Sequence, residues 1–328
     1  MTAPLLQVRD LKTWFPIKRG IFARTTGYVR AVDGVTFAVQ AGETVGLVGE
    51  SGCGKTTLGR TLMGLEPRRA GEIHFGGTPL WPRRHSASLP FRRRIQMIFQ
   101  DPFSSLNPRL TVLDIITEGL LEHGLIRPRE RTEAGVRLLQ EVGMDPDVLH
   151  RYPHEFSGGQ RQRLSIARAM ALRPDLVICD EPVSALDVSV RAQVLNLLID
   201  LGAAHRLSYL FISHDLGVIR HICSRVIVMY LGVVVESGPT SGIIDHPVHP
   251  YTRALVSAVP VPFGSGRQRV ILSGEVPSAA NPPSGCRFHT RCPYAMPDCS
   301  RIAPPLERFQ PSTGAAREVA CLRKHELA

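Results

Sequence analysis

No run of 18 or more apolar residues occurs in the 328-residue sequence, so no segment is expected to span a bilayer. The N-terminus also lacks the basic, apolar and small-residue succession of an export signal, so a cytosolic location is expected. Acid is in deficit: 29 Asp and Glu stand against 39 Lys and Arg, a formal net charge of +10 carried mostly by arginine. Such a balance suits nucleotide, nucleic acid or an anionic membrane surface and does not choose among them. The closely paired C-x2-C knuckles of a zinc ribbon are missing as well. Cys53, Cys179 and Cys223 stand alone and read as small buried residues. Cys286, Cys292, Cys299 and Cys321 fall close together near the end, and a cytosolic setting argues against disulfides among them. The length allows two compact domains, or one large domain with an appendage.

What is present declares itself at Gly49-Glu50-Ser51-Gly52-Cys53-Gly54-Lys55-Thr56-Thr57, which fits G-x-x-x-x-G-K-[ST]. The apolar run 44–48 reads as a buried strand leading into it, and 58–65 as the helix that follows. Glycines let consecutive N–H groups turn inward on a polyphosphate, and the helix N-terminus adds partial positive charge there. Lys55 would reach the β- and γ-phosphates, and the Thr56 hydroxyl would hold Mg²⁺. Nucleotide binding is the expected function of this stretch.

Further along, 6–11 reads as a first strand, 14–28 as a basic segment rich in turn residues, and 35–39 as another strand. Phe15, Trp14 and Tyr28 are candidates to stack on a base, or are half-buried strand-end aromatics. The basic stretch 83–94 reads as a solvated face, with lipid headgroups as the lesser option, and 111–142 turns helical. Ser157-Gly158-Gly159-Gln160 opens a helix reaching about Met170, and its bare N–H groups make a second anion site or a plain Ser cap. The apolar run 176–179 ends in Asp180-Glu181, as a central parallel strand would end at a ligand site. Asp180 would organise Mg²⁺ through its water shell, and Glu181 would polarise the attacking water. The apolar run 209–212 likewise delivers His214, and 226–230 with 233–236 reads as a closing hairpin.

Together these residues resemble the ATP-binding subunit of an ATP-binding cassette (ABC) transporter over about 5–240. The loop 49–57, Gln100, Phe156 through Gln160, Asp180-Glu181, Ser184 through Asp187 and His214 come in the family's order, with Phe156 where Leu is usual. The implied fold is an α/β P-loop ABC ATPase core, a mixed sheet flanked by helices. A helical subdomain at about 101–170 is inserted in it, and a Cys-containing extension occupies 241–328. The resemblance implies a head-to-tail dimer, each ATP lying between the phosphate loop of one subunit and Ser157–Gln160 of the other, with Asp187 beside it. Glu181 would be the general base, His214 would contact the γ-phosphate, and Gln100 would sense Mg²⁺ and the membrane partner. Phe15 aligns best with the base-stacking aromatic.

Past 240, His249-Pro250-Tyr251-Thr252-Arg253-Ala254-Leu255 and Gly285-Cys286-Arg287-Phe288 are similar to the dipeptide/oligopeptide importer branch, which also includes nickel importers. The implied partners are two membrane permease subunits, a second ABC ATPase subunit, identical or related, and an extracytoplasmic peptide-binding protein. The implied location is the cytoplasmic face of the inner membrane. Four thiolates spaced C-x5-C-x6-C-x21-C suit zinc or an iron–sulfur cluster, with His289 a weaker ligand and a metal-free reduced tail the alternative. The branch resemblance favours a structural [4Fe–4S] cluster, in an extension expected to have little core of its own. A nucleic-acid-associated ABC ATPase would also explain the charge, but the chain has one cassette and no recognisable nucleic-acid module.

Overall fold

The computed structural model describes residues 3–80, 89–259, 270, 272, 274–311 and 315–327. In chain order the helices and strands are β1 (Leu6–Arg19), β2 (Arg24–Val39), β3 (Thr44–Val48), α1 (Lys55–Leu62), β4 (Ala70–Phe75), β5 (Thr78–Pro79), α2 (Leu89–Arg94), β6 (Ile95–Ile98), α3 (Pro102–Ser105), α4 (Val112–Glu122) and α5 (Arg131–Glu141). They continue as α6 (Gly158–Met170), β7 (Leu176–Asp180), α7 (Val188–His205), β8 (Ser208–Ser213), α8 (Leu216–Ile222), β9 (Arg225–Tyr230), β10 (Val233–Pro239), α9 (Thr240–Asp245), α10 (Pro250–Ser257), β11 (Glu307–Phe309) and β12 (Arg317–Val319). These collect into two compact units, Met1–Val39 with Thr44–Pro79 and Phe211–Ala328, and Gln40–Glu43 with Leu80–Leu210.

The first unit holds an antiparallel sheet in the order β2-β1-β4-β5. Here the sequence reading falls short. The segment 14–28, read as basic and rich in turn residues, is mostly strand, because β1 runs on to Arg19 and pairs with β2 from Leu6↔Val39 out to Arg19↔Arg24. Turn-forming and basic residues are tolerated there because much of this ribbon is exposed, and a register shift beside Asp10, at φ 45°, absorbs its bend. The same unit pairs β3 with β9 in parallel and β9 with β10 antiparallel. The hairpin β9–β10 does not close the sheet, since β10 goes on to pair with β12, and β12 with β11.

The extension therefore has packing of its own. Val248, Phe309 and Val319 form a buried cluster with Cys321 against it. Tyr230, Tyr251 and Phe288 meet edge and face with ring centres 4.7–5.4 Å apart, a geometry that adds to simple burial. Glu236 and Arg317, both fully buried, pair at 3.5 Å across β10 and β12. The carboxylate also accepts the N–H groups of Val248 and His249 at 3.0 Å each.

In the second unit β6 and β7 run parallel, from Ile95↔Leu176 to Ile98↔Cys179. Every residue of β7 is buried, as a strand apolar up to its terminal Asp180 requires in an α/β layer. The helical stretch expected over 111–142 is α4 and α5. Thr111 and Asp114 cap α4 reciprocally, satisfying two of its free N-terminal donors. Of the basic stretch 83–94, residues 83–88 lie outside the described residues and the remainder forms α2. The chain returns to the first unit within β8. Among the described residues no helix is long and apolar enough to cross a membrane.

Candidate nucleotide site

In the first unit, β3 feeds the loop 49–54 and α1 starts at Lys55. Gly54 caps α1 at φ 107°, where a Cβ would stand 2.0 Å from the carbonyl oxygen of Ala31. A Cβ on Gly49 would meet the Met229 carbonyl at 2.1 Å. Only glycine allows these approaches, so neighbouring backbone alone dictates the motif's first and last loop glycines. Lys55 is buried, its Nζ donating to the carbonyls of Gly49 at 2.8 Å and Glu50 at 3.0 Å. Its ammonium is thus held over the mouth of the loop, while Ser51, Gly52 and Thr56 face solvent and Thr57 is half-buried. Cys53 is buried, and burial raises its thiol pKa, so it remains a protonated packing residue.

His214, at the exit of β8, is exposed and lines a cavity of about 270 Å³ with Val48 and Gly49. The structure thus places it beside the first residue of the phosphate loop. Asp215 next to it caps α8, accepting the N–H groups of Gly217 and Val218. Trp14 and Tyr28 flank Arg69, whose guanidinium stands 4.7 and 4.3 Å from the two ring centres. Trp14 also donates its indole N–H to Asp33 at 3.1 Å. Phe15 is half-exposed on the same strand.

The second unit holds the other predicted residues. Asp180 ends β7 and is buried. Glu181 follows at φ 47°, a left-handed conformation that costs a non-glycine residue about 1 kcal/mol or more and is common at functional sites. Its carbonyl accepts both the N–H and the hydroxyl of Ser184. Gln100, after β6, donates its amide to the Glu181 carboxylate at 3.2 Å. These two residues, 81 apart in sequence, are therefore brought into direct contact.

Ser157 caps α6: its hydroxyl accepts the Gln160 N–H at 3.3 Å, and the Gln160 side chain accepts the Ser157 N–H at 3.0 Å. The plain Ser cap is therefore present as a reciprocal cap, with Ser157 and Gln160 themselves exposed. Gly159 has a packing role that sequence did not reveal, since a Cβ there would lie 2.4 Å from Cγ1 of Val190 on α7. Asp187 starts α7 with no hydrogen bond from its side chain to the cap, and both it and Val188 are exposed.

Cys286, Cys292, Cys299 and Cys321 line one cavity of about 20 Å³, together with His249, His289 and Tyr294. The fold thus gathers four thiols that sequence places up to 35 residues apart (321 minus 286). Burial raises the Cys286 pKa to about 11 and pushes those of Cys292 and Cys321 upward. Among the described residues no three His, Cys, Asp or Glu side chains are arranged to hold a metal ion. His289 instead bonds the Cys286 carbonyl at 2.8 Å.

Comparison with known proteins gives the family. The ABC transporter family model matches residues 32–184, and the oligopeptide/dipeptide transporter C-terminal region matches 235–299. The oligopeptide transport ATP-binding protein AppF of Bacillus subtilis is 52% identical, over 94% of this chain and 95% of its own. This chain is an ABC transporter ATPase. The dipeptide transport ATP-binding protein DppF of Escherichia coli is 49% identical over 93% of this chain and 92% of its own. Among solved structures, the ATP-binding cassette MJ0796, a dimer in a post-hydrolysis state with ADP and Pi, superposes with TM-score 0.64. It is 25% identical and covers 72% of this chain and 98% of its own.

Sequence reasoning missed the residues that tie the extension to this ABC ATPase's phosphate loop. Tyr251 accepts the Glu50 N–H at 2.7 Å, and Arg291 holds the Glu50 carboxylate at 2.8 and 3.2 Å. Arg287 pairs with Asp33. Their partners lie 201 to 254 residues away, so no local signal marks them.

Proposed function

We propose that this ABC ATPase powers uptake of di- or oligopeptides through two separate membrane permease subunits, supplied by an extracytoplasmic peptide-binding protein. The observation that carries the reading is the match of 235–299 to the oligopeptide/dipeptide C-terminal region, joined to peptide-transport relatives that run the length of the chain. In this reading the ATPase core is 1–240, with a helical subdomain at about 101–170, and the extension is 241–328. The protein sits at the cytoplasmic face of the inner membrane.

The working unit is a head-to-tail pair with a second ABC ATPase subunit, identical or related. Loop 49–57 of one subunit and Ser157–Gln160 of the other close on one ATP, with Asp187 at the seam. The exposed Ser157 start of α6 and the exposed Asp187 support this. Glu181 acts as general base on the attacking water, and its contact with Gln100 links it to the segment that would meet the permease. His214 contacts the γ-phosphate, a role supported by its place beside Gly49. Phe15 stacks on adenine, because Trp14 and Tyr28 are already engaged with Arg69.

Thr56, Gln100 and Asp180 would hold the Mg²⁺ that accompanies ATP, with the oxygen donors that ion prefers. It would neutralise charge on the transferring phosphoryl group. For Cys286, Cys292, Cys299 and Cys321 we favour a structural [4Fe–4S] cluster over zinc. Four thiols lining one cavity support the donor set.

Reconstitution with the permease pair in vesicles tests the transport reading. ATP turnover should rise when the binding protein carries a di- or oligopeptide. Stimulation by nickel or another solute, and none by peptide, would reassign the cargo. Stimulation by nucleic acid alone would reject transport.

A further inference from the structure

The extension reaches the phosphate loop through Glu50, a position that the motif G-x-x-x-x-G-K-[ST] leaves open to any residue. Glu50, the loop's second residue, gives its N–H to the Tyr251 hydroxyl at 2.7 Å. Both of its carboxylate oxygens are held by Arg291, at 2.8 and 3.2 Å. The Arg291 side chain is 8% exposed and that of Glu50 27%, so water competes weakly for this pair. The carbonyl of the same residue takes the Lys55 ammonium at 3.0 Å. Every polar group of Glu50 is thereby engaged, two of the three from beyond residue 250. A second tie, Arg287 to Asp33, reaches the strand beside the aromatics; Asp33 in turn accepts the Trp14 indole N–H.

A carboxylate this close to a polyphosphate loop is an electrostatic liability. Left unpaired, Glu50 would repel the incoming phosphates. A bidentate guanidinium removes that problem, since it neutralises the carboxylate and fixes its plane, while the Tyr251 hydroxyl holds the peptide N–H. We propose that Arg291, with Tyr251, is a positioning residue for nucleotide binding, holding Glu50 neutralised and the phosphate loop preset. The proposal rests on reading 49–57 as the phosphate loop. It gives the C-terminal extension a part in ATP affinity beyond its own packing. Arg291 adjoins Cys292, one of the four gathered cysteines, so neighbouring residues carry both features.

The test is binding of a fluorescent MgATP analogue to the full-length chain, with far-UV circular dichroism melts alongside. Arg291→Ala should weaken binding roughly tenfold, the scale of one charge-assisted hydrogen bond. Arg291→Lys should recover part of this, as it keeps the charge without the fork. The deciding variant is Glu50→Gln placed in the Arg291→Ala background. If the unpaired carboxylate is the fault, removing it should bring affinity back to within about threefold of wild type, a residue of under 0.7 kcal/mol. Unchanged affinity in Arg291→Ala overturns the proposal. So does a double variant that binds no more tightly than Arg291→Ala, since the unpaired carboxylate is then not the fault and Arg291 is only a packing residue. Lys55→Ala tests the loop itself: it should lose binding altogether, and retained binding would reject the reading of 49–57 whatever Arg291 does.

Discussion

Gly159→Ala sets a local preference against a packing constraint. In most helices alanine would stabilise by about 0.5–1 kcal/mol over glycine. Here the new Cβ would stand 2.4 Å from Cγ1 of Val190, against an ordinary carbon contact of about 3.5–4.0 Å. Val190 lies on α7 and is β-branched, so it has one strongly preferred rotamer and cannot swing its methyl away cheaply. The helices must part or Val190 must strain, at about 1–3 kcal/mol for such overpacking. Less the gain in helix propensity, the net loss is roughly 0.5–2 kcal/mol, a fall of a few degrees in thermal midpoint. Val190→Ala removes the offending methyl, so the double variant should melt near the Val190→Ala single. The assay is a four-protein thermal cycle by far-UV circular dichroism. ATPase activity of the assembled transporter should fall in Gly159→Ala and recover in the double variant, because α6 carries Ser157–Gln160 at its start. A Gly159→Ala protein at least as stable as wild type, or one that Val190→Ala fails to relieve, would refute the argument.

Three other outcomes follow from the site. Glu181→Gln should bind ATP normally but turn over roughly 10²–10⁴ times more slowly, the usual span for a lost general base; single-turnover hydrolysis near the wild-type rate would remove it from that role. Protein purified without oxygen should contain iron and sulfide, and both should vanish when Cys286 and Cys292 become serine. Metal-free protein with full thermal stability would end the cluster reading. Burial holds His249 neutral, its pKa down at about 3 from an ordinary 6.5, so between those values the unfolded chain takes up a proton that the folded chain refuses. Stability is therefore full above pH 6.5 and declines as pH falls toward 3, by about 2 kcal/mol at pH 5. The imidazole accepts the Tyr251 N–H at 3.1 Å as the cap of α10. Asparagine can make the same cap without titrating, so His249→Asn should flatten the acid limb of the stability–pH curve. An unchanged limb would show that another group sets it.

The residues legible in the sequence are those whose chemistry acts over a few consecutive positions. A loop that wraps a phosphate needs its glycines, lysine and hydroxyl within nine residues, and Gly49–Thr57 supplies them in one reading frame. The same holds for Ser157–Gln160, where reciprocal capping and an open helix start involve only i to i+3, and for Asp180-Glu181 at the end of an all-apolar strand. Contacts made through space left no such mark. The clash that excludes a side chain at Gly159 comes from Val190 on another helix. Gln100 meets Glu181 across 81 residues. Arg291, read alone in a stretch rich in Pro, Cys and Arg, looks like an ordinary solvated charge, yet its side chain is 8% exposed and grips Glu50 from 241 residues away.

The misread strand over 14–28 and the hairpin mistaken for a sheet edge have a related cause. Turn residues and charge are local signals for loops, and they mislead where a long exposed ribbon tolerates them, as β1 and β2 do. The edge of β10 looked final because the strands that extend it, β12 and then β11, lie more than 65 residues on (307 minus 239). That added hairpin is what buries Glu236 against Arg317. Glu236 in turn anchors Val248 and His249, and so the start of α10. From α10 comes Tyr251, whose hydroxyl holds Glu50. A tail that sequence alone presents as an appendage is thus connected, contact by contact, to the loop that receives phosphate. Truncation before β11 should therefore be expected to weaken nucleotide binding as well as stability.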